Sequence, residues 1–237
     1  MTLLSRAADA PERMDQPDVD PETLRGALDH ITDVNRWLGA RRALLRHLEW
    51  AVPRPGAGAS GEPMRVLDLG TGSGDLAEVI VRWGRQRGRR LDVVGVDLHA
   101  ATLRTARSRT DGILLVRGDG LRLPFRDGAF DLVHLSMILH HMDGSALTGL
   151  LREAARAGRG GRILVGELER SVLHYLGARV LAATIWRGNA VTRHDGPLSV
   201  RRAFTAPELL ELARDAGLRE AAVHRHPVYR LVLRAEA

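Results

Sequence analysis

Apolar positions recur at spacings of three and four from Leu24 through Leu28, Ile31, Val34 and Leu38, the mark of one amphipathic helix face. Asp20 can cap the start of that helix, Pro21 takes a first-turn position that needs no amide hydrogen, and the pattern breaks at Gly39. A second helix is predicted over residues 40–52, and the linker 53–63, PRPGAGASGEP, is too rich in proline and glycine to continue it. Beyond the linker the period changes. Short continuous apolar runs at 64–70, 91–98, 112–119, 129–138 and 160–168 are too brief for helices and read as strands, with helical spacing at 75–84, 100–109 and 145–157 between them. Strands apolar along their whole length are buried on both sides, so this alternation predicts an α/β fold, a doubly wound, mostly parallel sheet with helices on both faces. A long apolar helix at 171–186, a polar loop to Arg202, a helix opened by the capping box Thr205-x-x-Glu208 and two closing strands at 220–226 and 229–235 complete seven strands. Residues 1–20, polar and aperiodic, are expected to form a loosely attached tail. A helical cap and linker (21–62) and one main domain (63–237), with a helical insertion at about 170–203, follow.

Composition narrows the class. At 237 residues the chain can bury one sizeable core, which must be mostly aliphatic because aromatics make up only 4%. No cysteine is present, which excludes disulfides and thiolate metal sites and fits a reducing, cytoplasmic setting. No stretch approaches the roughly 20 apolar residues of a membrane span, so a soluble protein is expected, with peripheral membrane contact left open. The net charge of +6 raises the question of nucleic acid, but all 35 basic residues are arginine and they are scattered among carboxylates. The one dense cluster, GRQRGRR at 84–90, reads as a solvated connector, and no nucleic-acid partner is expected.

The candidate chemistry begins at VLDLGTGSG, residues 66–74, where the first strand of an open parallel sheet turns into its helix and such folds bind ligands. Glycine permits unusual dihedrals and close main-chain approach, so Gly70, Gly72 and Gly74 point to a ligand lying against the backbone. The dinucleotide fingerprint would need glycine at position 75, where Asp75 stands. With VVGVDL (93–98), RGDGLRLPF (117–125) and FDLVHLSMILHHM (130–142), the chain resembles the class I S-adenosylmethionine-dependent methyltransferases over residues 64–167. The pattern D-x-L-x-L-P-F-x-D-x-x-F-D at 119–131 is similar to the small-molecule and quinone-biosynthesis branch. The resemblance implies a Rossmann-like fold and S-adenosylmethionine as cofactor. It also implies that Asp97 accepts both ribose hydroxyls, that Leu98 packs on one adenine face, and that Asp119 accepts the adenine amino group with the Gly120 and Leu121 amides at the ring edge. Asp68 then holds the glycine turn and the cofactor's amino-acid end, the Ser136 carbonyl accepts its ammonium, and Thr71 and Ser73 are secondary contacts.

Methyl transfer needs alignment and a dry site, and a base only where the nucleophile carries a proton. His140 and His141, just past the fourth strand, are the candidate bases, with packing as the alternative for each. His194 beside Asp195 is a candidate substrate contact on the loop after the inserted helix, and Trp186 one at that helix's end. The helix carries more apolar residues than one buried face requires, and reads as a roof over a lipophilic acceptor, a dimer contact or plain core. His224 and His226 share one side of a late strand and read as packing. No metal is expected at His140, His141 and Asp143, because adjacent histidines do not readily share an ion. The segment after the fourth strand has neither the prolines of DNA amino-methylating relatives nor the paired glutamates of protein-arginine ones. The expected acceptor is therefore a small aromatic, quinone-like or polyketide-like molecule methylated on oxygen or carbon, by a monomer or homodimer. A non-catalytic cofactor-binding partner remains open, as does a nucleotide-cofactor oxidoreductase, against which the glycine spacing counts.

Overall fold

The computed structural model describes residues 4–8, 10–16, 18–52 and 62–237. Two helices, α1 (Pro21–Trp37) and α2 (Ala40–Ala51), precede a seven-stranded sheet. Strand and helix then alternate through β1 (Met64–Leu69), α3 (Asp75–Gln86), β2 (Leu91–Asp97), α4 (Ala100–Arg109), β3 (Ile113–Arg117), β4 (Leu132–Ser136), α5 (Ser145–Ala157) and β5 (Arg162–Leu168). The chain closes with α6 (Val172–Ala183), α7 (Ala190–Arg202), α8 (Ala206–Asp215), β6 (Arg219–His226) and β7 (Arg230–Glu236). The strand order is β3-β2-β1-β4-β5-β7-β6; β7 runs antiparallel to both β5 and β6, and the other neighbouring pairs are parallel. Successive residues of one strand serve opposite faces: Leu67 and Leu135 pack with α5 and α8, while Val66 and Leu132 pack with α2 and α3. The chain order reverses between β1 and β4, and the carboxyl ends of β1, β2 and β4 surround that switch point.

Local chemistry explains most element ends. Asp20 caps α1 by accepting from the Thr23 amide at 2.8 Å, Thr205 and Glu208 form the expected capping box on α8, and Gly39 enters α2 at φ +91°. Two expectations need correction. The inserted helix ends at Ala183 rather than Trp186, and the residues taken for a polar loop form α7, capped by Asn189 and carrying Pro197 inside. The expected loose tail is also placed. Arg170 Nε donates to the Leu4 carbonyl and the Ala7 amide to Arg201, while Glu12 is 2% exposed and residues Arg13–Asp15 make a 3-10 turn. Most of the expected linker, 53–61, lies outside the described residues, as do residues 1–3, 9 and 17.

His224 and His226 pack on His47 of α2, whose Nε2 lies 2.7 Å from His226 Nε2 while Arg234 Nε donates to its Nδ1 at 2.5 Å. Burial first, then Arg234, His226 and His224, hold the His47 pKa down at about 3 against an ordinary 6.5. A ring that stays neutral when folded but takes a proton when unfolded makes acid favour unfolding, so its contribution is present above pH 6.5 and lost as pH falls toward 3. Urea denaturation across that window is expected to show stability falling with pH, and His47→Gln to flatten the slope; an unchanged slope refutes the assignment.

Candidate functional site

At the switch point one cavity of about 830 Å³ runs from the glycine loop to the turn after β4 and under α6 and α7. That volume suits a small-molecule site. The loop between β1 and α3 forms its floor. Asp68, 3% exposed, accepts from Thr71 Oγ1 at 2.7 Å and meets His134 Nδ1 at 2.6 Å, which fixes the turn from below. The three glycines do different work. A Cβ on Gly70 would stand 2.5 Å from Ile138 Cδ1, and one on Gly74 2.5 Å from Thr110 Cγ2, so these two are required by the protein's own packing. At Gly72, φ +57°, a Cβ would meet nothing within 4 Å, and the residue lines the cavity. Gly72 is therefore the residue where a side chain would take ligand space.

Asp97 ends β2 in the cavity wall. Its Oδ2 accepts from the Gly72 amide at 3.0 Å and its Oδ1 from the His99 amide at 2.9 Å, which leaves each oxygen further lone pairs for a ligand. Burial raises its pKa, against the two amide bonds, and no cationic side chain pairs with it among the described residues. Leu98 and Leu121, 53% and 42% exposed, hold apolar side chains open beside the ends of β2 and β3. Asp119 and Gly120 line the cavity; the Leu121 amide, expected at an adenine edge, donates instead to Asp119 Oδ1 at 2.9 Å. Ser136 lines the cavity, and the next residue, Met137, sits at φ +58°, a costly conformation for a side-chain-bearing residue that turns the chain into the cavity wall.

Helix α1 also lines the site, without a motif to mark it. Its Thr32 Oγ1 lies 3.0 Å from Ser73 Oγ, its Asn35 Nδ2 donates to Asp75 at 3.2 Å, and Leu28, Ile31 and Val34 line the cavity. Asn35 is 3% exposed and its Oδ1 has no partner among the described residues, a buried acceptor in the cavity wall beside the glycine loop. Neither Asn35 nor Asp75 carried a motif that could have marked it.

The opposite end is polar. A 3-10 turn at Leu139–His141 brings both histidine rings into the cavity wall, centroids 4.5 Å apart. His140, 1% exposed, is held through Nδ1 by Glu167 Oε2 at 2.8 Å, and Glu167 Oε1 accepts the Leu139 amide. Burial raises the Glu167 pKa, but His140 and the Leu139 amide outweigh it and the carboxyl sits below its ordinary value. His141 Nδ1 meets Asp15 Oδ2 at 2.7 Å. Burial opposes charge on His141, yet Glu12, Asp15 and Glu167 together raise its pKa to about 9. At neutral pH that ring already carries its proton, which counts against a base role for His141. Glu12 lies 3.9 Å from His140 Nε2 and 3.8 Å from His141 Nε2. The premise that adjacent histidines cannot converge on one point does not hold here: the 3-10 turn aims both at the same carboxylate.

Arg202, 3% exposed, ties this corner together, donating to the carbonyls of His140, Ala8 and Ala10 and pairing with Asp143 at 2.8 Å. Asp195, on α7, accepts the Arg13 and Met14 amides at 2.9 Å and lines the cavity; its neighbour His194 is exposed and does not. Trp186 lines it, packed on Gly196 where a Cβ would lie 2.5 Å from the indole. Leu173, Val180 and Leu181 of α6 face the cavity, the first two more than 60% exposed. Glu167 and Arg230 were both legible as charged residues within apolar strands, a placement that demands partners.

A family model described as a methyltransferase domain matches residues 66–161. A demethylmenaquinone methyltransferase of Thermus thermophilus is 32% identical over 170 residues, covering 63% of this chain and 71% of that protein. One from Beutenbergia cavernae is 31% identical over 159 residues, covering 64% of this chain and 60% of that protein's length. In fold the chain is similar to a SAM-dependent methyltransferase of Aquifex aeolicus, with a TM-score of 0.63 at 16% identity over 92% of this chain and 98% of that one.

Proposed function

The chain belongs to the class I S-adenosylmethionine-dependent methyltransferases, and from that premise we propose that it methylates an oxygen or carbon of a small, lipophilic aromatic, quinone-like or polyketide-like acceptor. The observation that carries this reading is the continuity of one cavity from Gly72 and Asp97 to His140 and His141, which gives donor and acceptor a shared space. The residues present fit the cofactor: a cradle opens at Gly72, two carboxylate oxygens of Asp97 keep lone pairs for the ribose hydroxyls, and the unpartnered Asn35 Oδ1 stands ready for a hydrogen-bond donor. Bound there, S-adenosylmethionine supplies an electrophilic methyl group on a sulfonium, whose S–C bonding pair stays with sulfur.

The chain's own residues supply position and proton handling. Leu98 offers an apolar face for a flat ring, with Asp119 and Gly120 beside it in the cavity lining; Leu121, expected at the ring edge, does not line the cavity. His140, with Nδ1–H donated to Glu167, keeps a bare Nε2 lone pair toward the cavity, the arrangement a base needs to take a hydroxyl proton. Trp186, Leu173, Val180 and Leu181 present apolar surface to the same cavity, which suits an acceptor of low polarity. Small-molecule acceptors are also favoured by the demethylmenaquinone methyltransferases among its relatives.

Calorimetry tests the reading directly. S-adenosylhomocysteine is expected to bind at a Kd in the micromolar range, about −8 kcal/mol, and NADH to give no heat. Folded protein that binds neither sulfur nucleoside refutes the proposal, while binding without turnover on any hydroquinone, phenol or enolisable diketone supports the non-catalytic alternative instead.

A further inference from the structure

The geometry points to a divalent transition-metal site formed by Glu12, His140 and His141 at the acceptor end of the cavity. The ligand atoms of these three side chains lie within 4.8 Å of one another, and all three residues line the cavity. The hydrogen-bond pattern fixes what they present. His140 Nδ1 is held by Glu167 and His141 Nδ1 by Asp15, at 2.8 and 2.7 Å. A carboxylate accepts only, so each ring places a hydrogen on Nδ1 and turns Nε2 inward, where an ion would displace the proton that the surrounding carboxylates otherwise hold on His141. Facing those two nitrogens is the Glu12 carboxylate, 2% exposed, whose Oε1 accepts from Ser199 Oγ at 3.0 Å.

The separations decide between two readings of this cluster. At 3.9 and 3.8 Å, the Nε2 to Glu12 distances exceed a hydrogen bond, which ends near ~3.2 Å. They stand a few tenths of an ångström outside the ~3.4 Å edge expected between ligands of a tetrahedral ion bound at ~2.1 Å. Two imidazole nitrogens and a carboxylate converging at that spacing suit a shared cation, which takes the place of the His141 proton. Carboxylates behind both imidazoles are the supporting arrangement that metal-bound histidines use, since they fix the tautomer and raise ligand basicity. Two nitrogens and one carboxylate, with no cysteine in the chain, suit an ion of the zinc and iron(II) group over calcium or magnesium. Three protein ligands leave a coordination position open, and that position faces the cavity.

The site's task rests on the methyltransferase reading and replaces the base role there: with an ion bound, His140 Nε2 is a ligand and its lone pair no longer takes a proton. An acceptor hydroxyl or enol bound at the open position would ionise more easily: its O–H bond breaks, the pair stays on the metal-bound oxygen, and the proton passes to solvent water. No electrons are transferred. The acceptor class this favours has an acidic oxygen on a ring or next to a carbonyl, as in hydroquinones and enolisable diketones.

The test uses the full chain, freed of metal by chelation, and calorimetric titration with zinc chloride. One equivalent is expected to bind. Glu12→Gln should weaken it more than 100-fold, Asp15→Asn by the ~10–100-fold typical of a supporting carboxylate, and His226→Asn, in the other histidine cluster, by less than twofold. Cobalt(II) in place of zinc should give a visible absorption band that Glu12→Gln abolishes. Folding of each variant is checked by circular dichroism, and Asp15→Asn, at a partly exposed residue, carries the comparison if Glu12→Gln does not fold. No zinc binding to the wild-type chain overturns the proposal, as does binding that survives in Asp15→Asn but is lost in His226→Asn. Titration with S-adenosylhomocysteine on the same protein separates this outcome from failure of the methyltransferase reading.

Discussion

His140→Ala is expected to lower turnover about 10²- to 10⁴-fold, the range for loss of a group that handles the reacting proton, while S-adenosylhomocysteine affinity stays within about twofold. The two effects separate because His140 stands at the polar end of the cavity, on the turn after β4, and Asp97 and Gly72 at the donor end. Its geometry is set by Glu167, so Glu167→Gln should reproduce much of the loss without removing a ring: the amide can donate to Nδ1, which reverses the tautomer and takes away the inward lone pair. The defect should shrink for acceptors already ionised at the assay pH and grow for phenols, whose ordinary pKa near ~10 leaves them protonated. Steady-state kinetics on a series of substituted phenols or hydroquinones reads this. Equal activity of wild type and His140→Ala across the series and across pH would mean that alignment alone carries the reaction.

Asp97→Asn is expected to weaken S-adenosylhomocysteine binding by roughly 1–3 kcal/mol, about 5- to 150-fold, the scale of hydrogen bonds to a charged group. It should leave the ligand-free protein as stable as before, or more so. The carboxylate is held in a desolvated wall with two amide donors and no cationic partner, and burial raises its pKa, so its charge is a cost to the unliganded fold. An asparagine oxygen can still accept one of those amides. Thermal denaturation with and without ligand separates the contributions, because ligand-induced stabilisation scales with occupancy. A variant with lowered ligand-free Tm and an undiminished ligand-induced shift would make Asp97 a structural residue.

The parts of the protein that local pattern could reveal were legible. Continuous apolar strands and interleaved amphipathic helices come directly from burial on both faces of a parallel sheet, and the glycine turn, Asp97 and Asp119 lie where strand ends meet the switch point. What escaped depends on distant partners. Residues 4–8 and 10–16 have no periodicity because they form almost no regular element; Arg170, Arg202 and Asp195, more than 160 residues away, hold them. Glu12 and Asp15 therefore gave no local sign of approaching the histidines. Helix α7 was hidden by Gly196 and Pro197, residues that usually end helices. Here Gly196 makes room for Trp186, a requirement set by packing across the α6–α7 turn. The histidine pair was visible, but the charge on His141 and the tautomer of His140 were not, since carboxylates from other elements decide both.

Strand β7 lies inside the sheet, paired along β5 on one side and β6 on the other, although every other element precedes it in the sequence. Its first residue, Arg230, is 3% exposed in the cavity wall and donates to the Leu38 carbonyl at the junction of α1 and α2. During vectorial synthesis on the ribosome, the nascent chain must therefore carry β5 as an open, apolar edge until the final strand emerges. Neither the sheet nor the pocket can close before then. A ribosome stalled short of residue 230 would display a strand edge ready to pair with another chain, which makes this the stage at which chaperone contact protects the protein from aggregation.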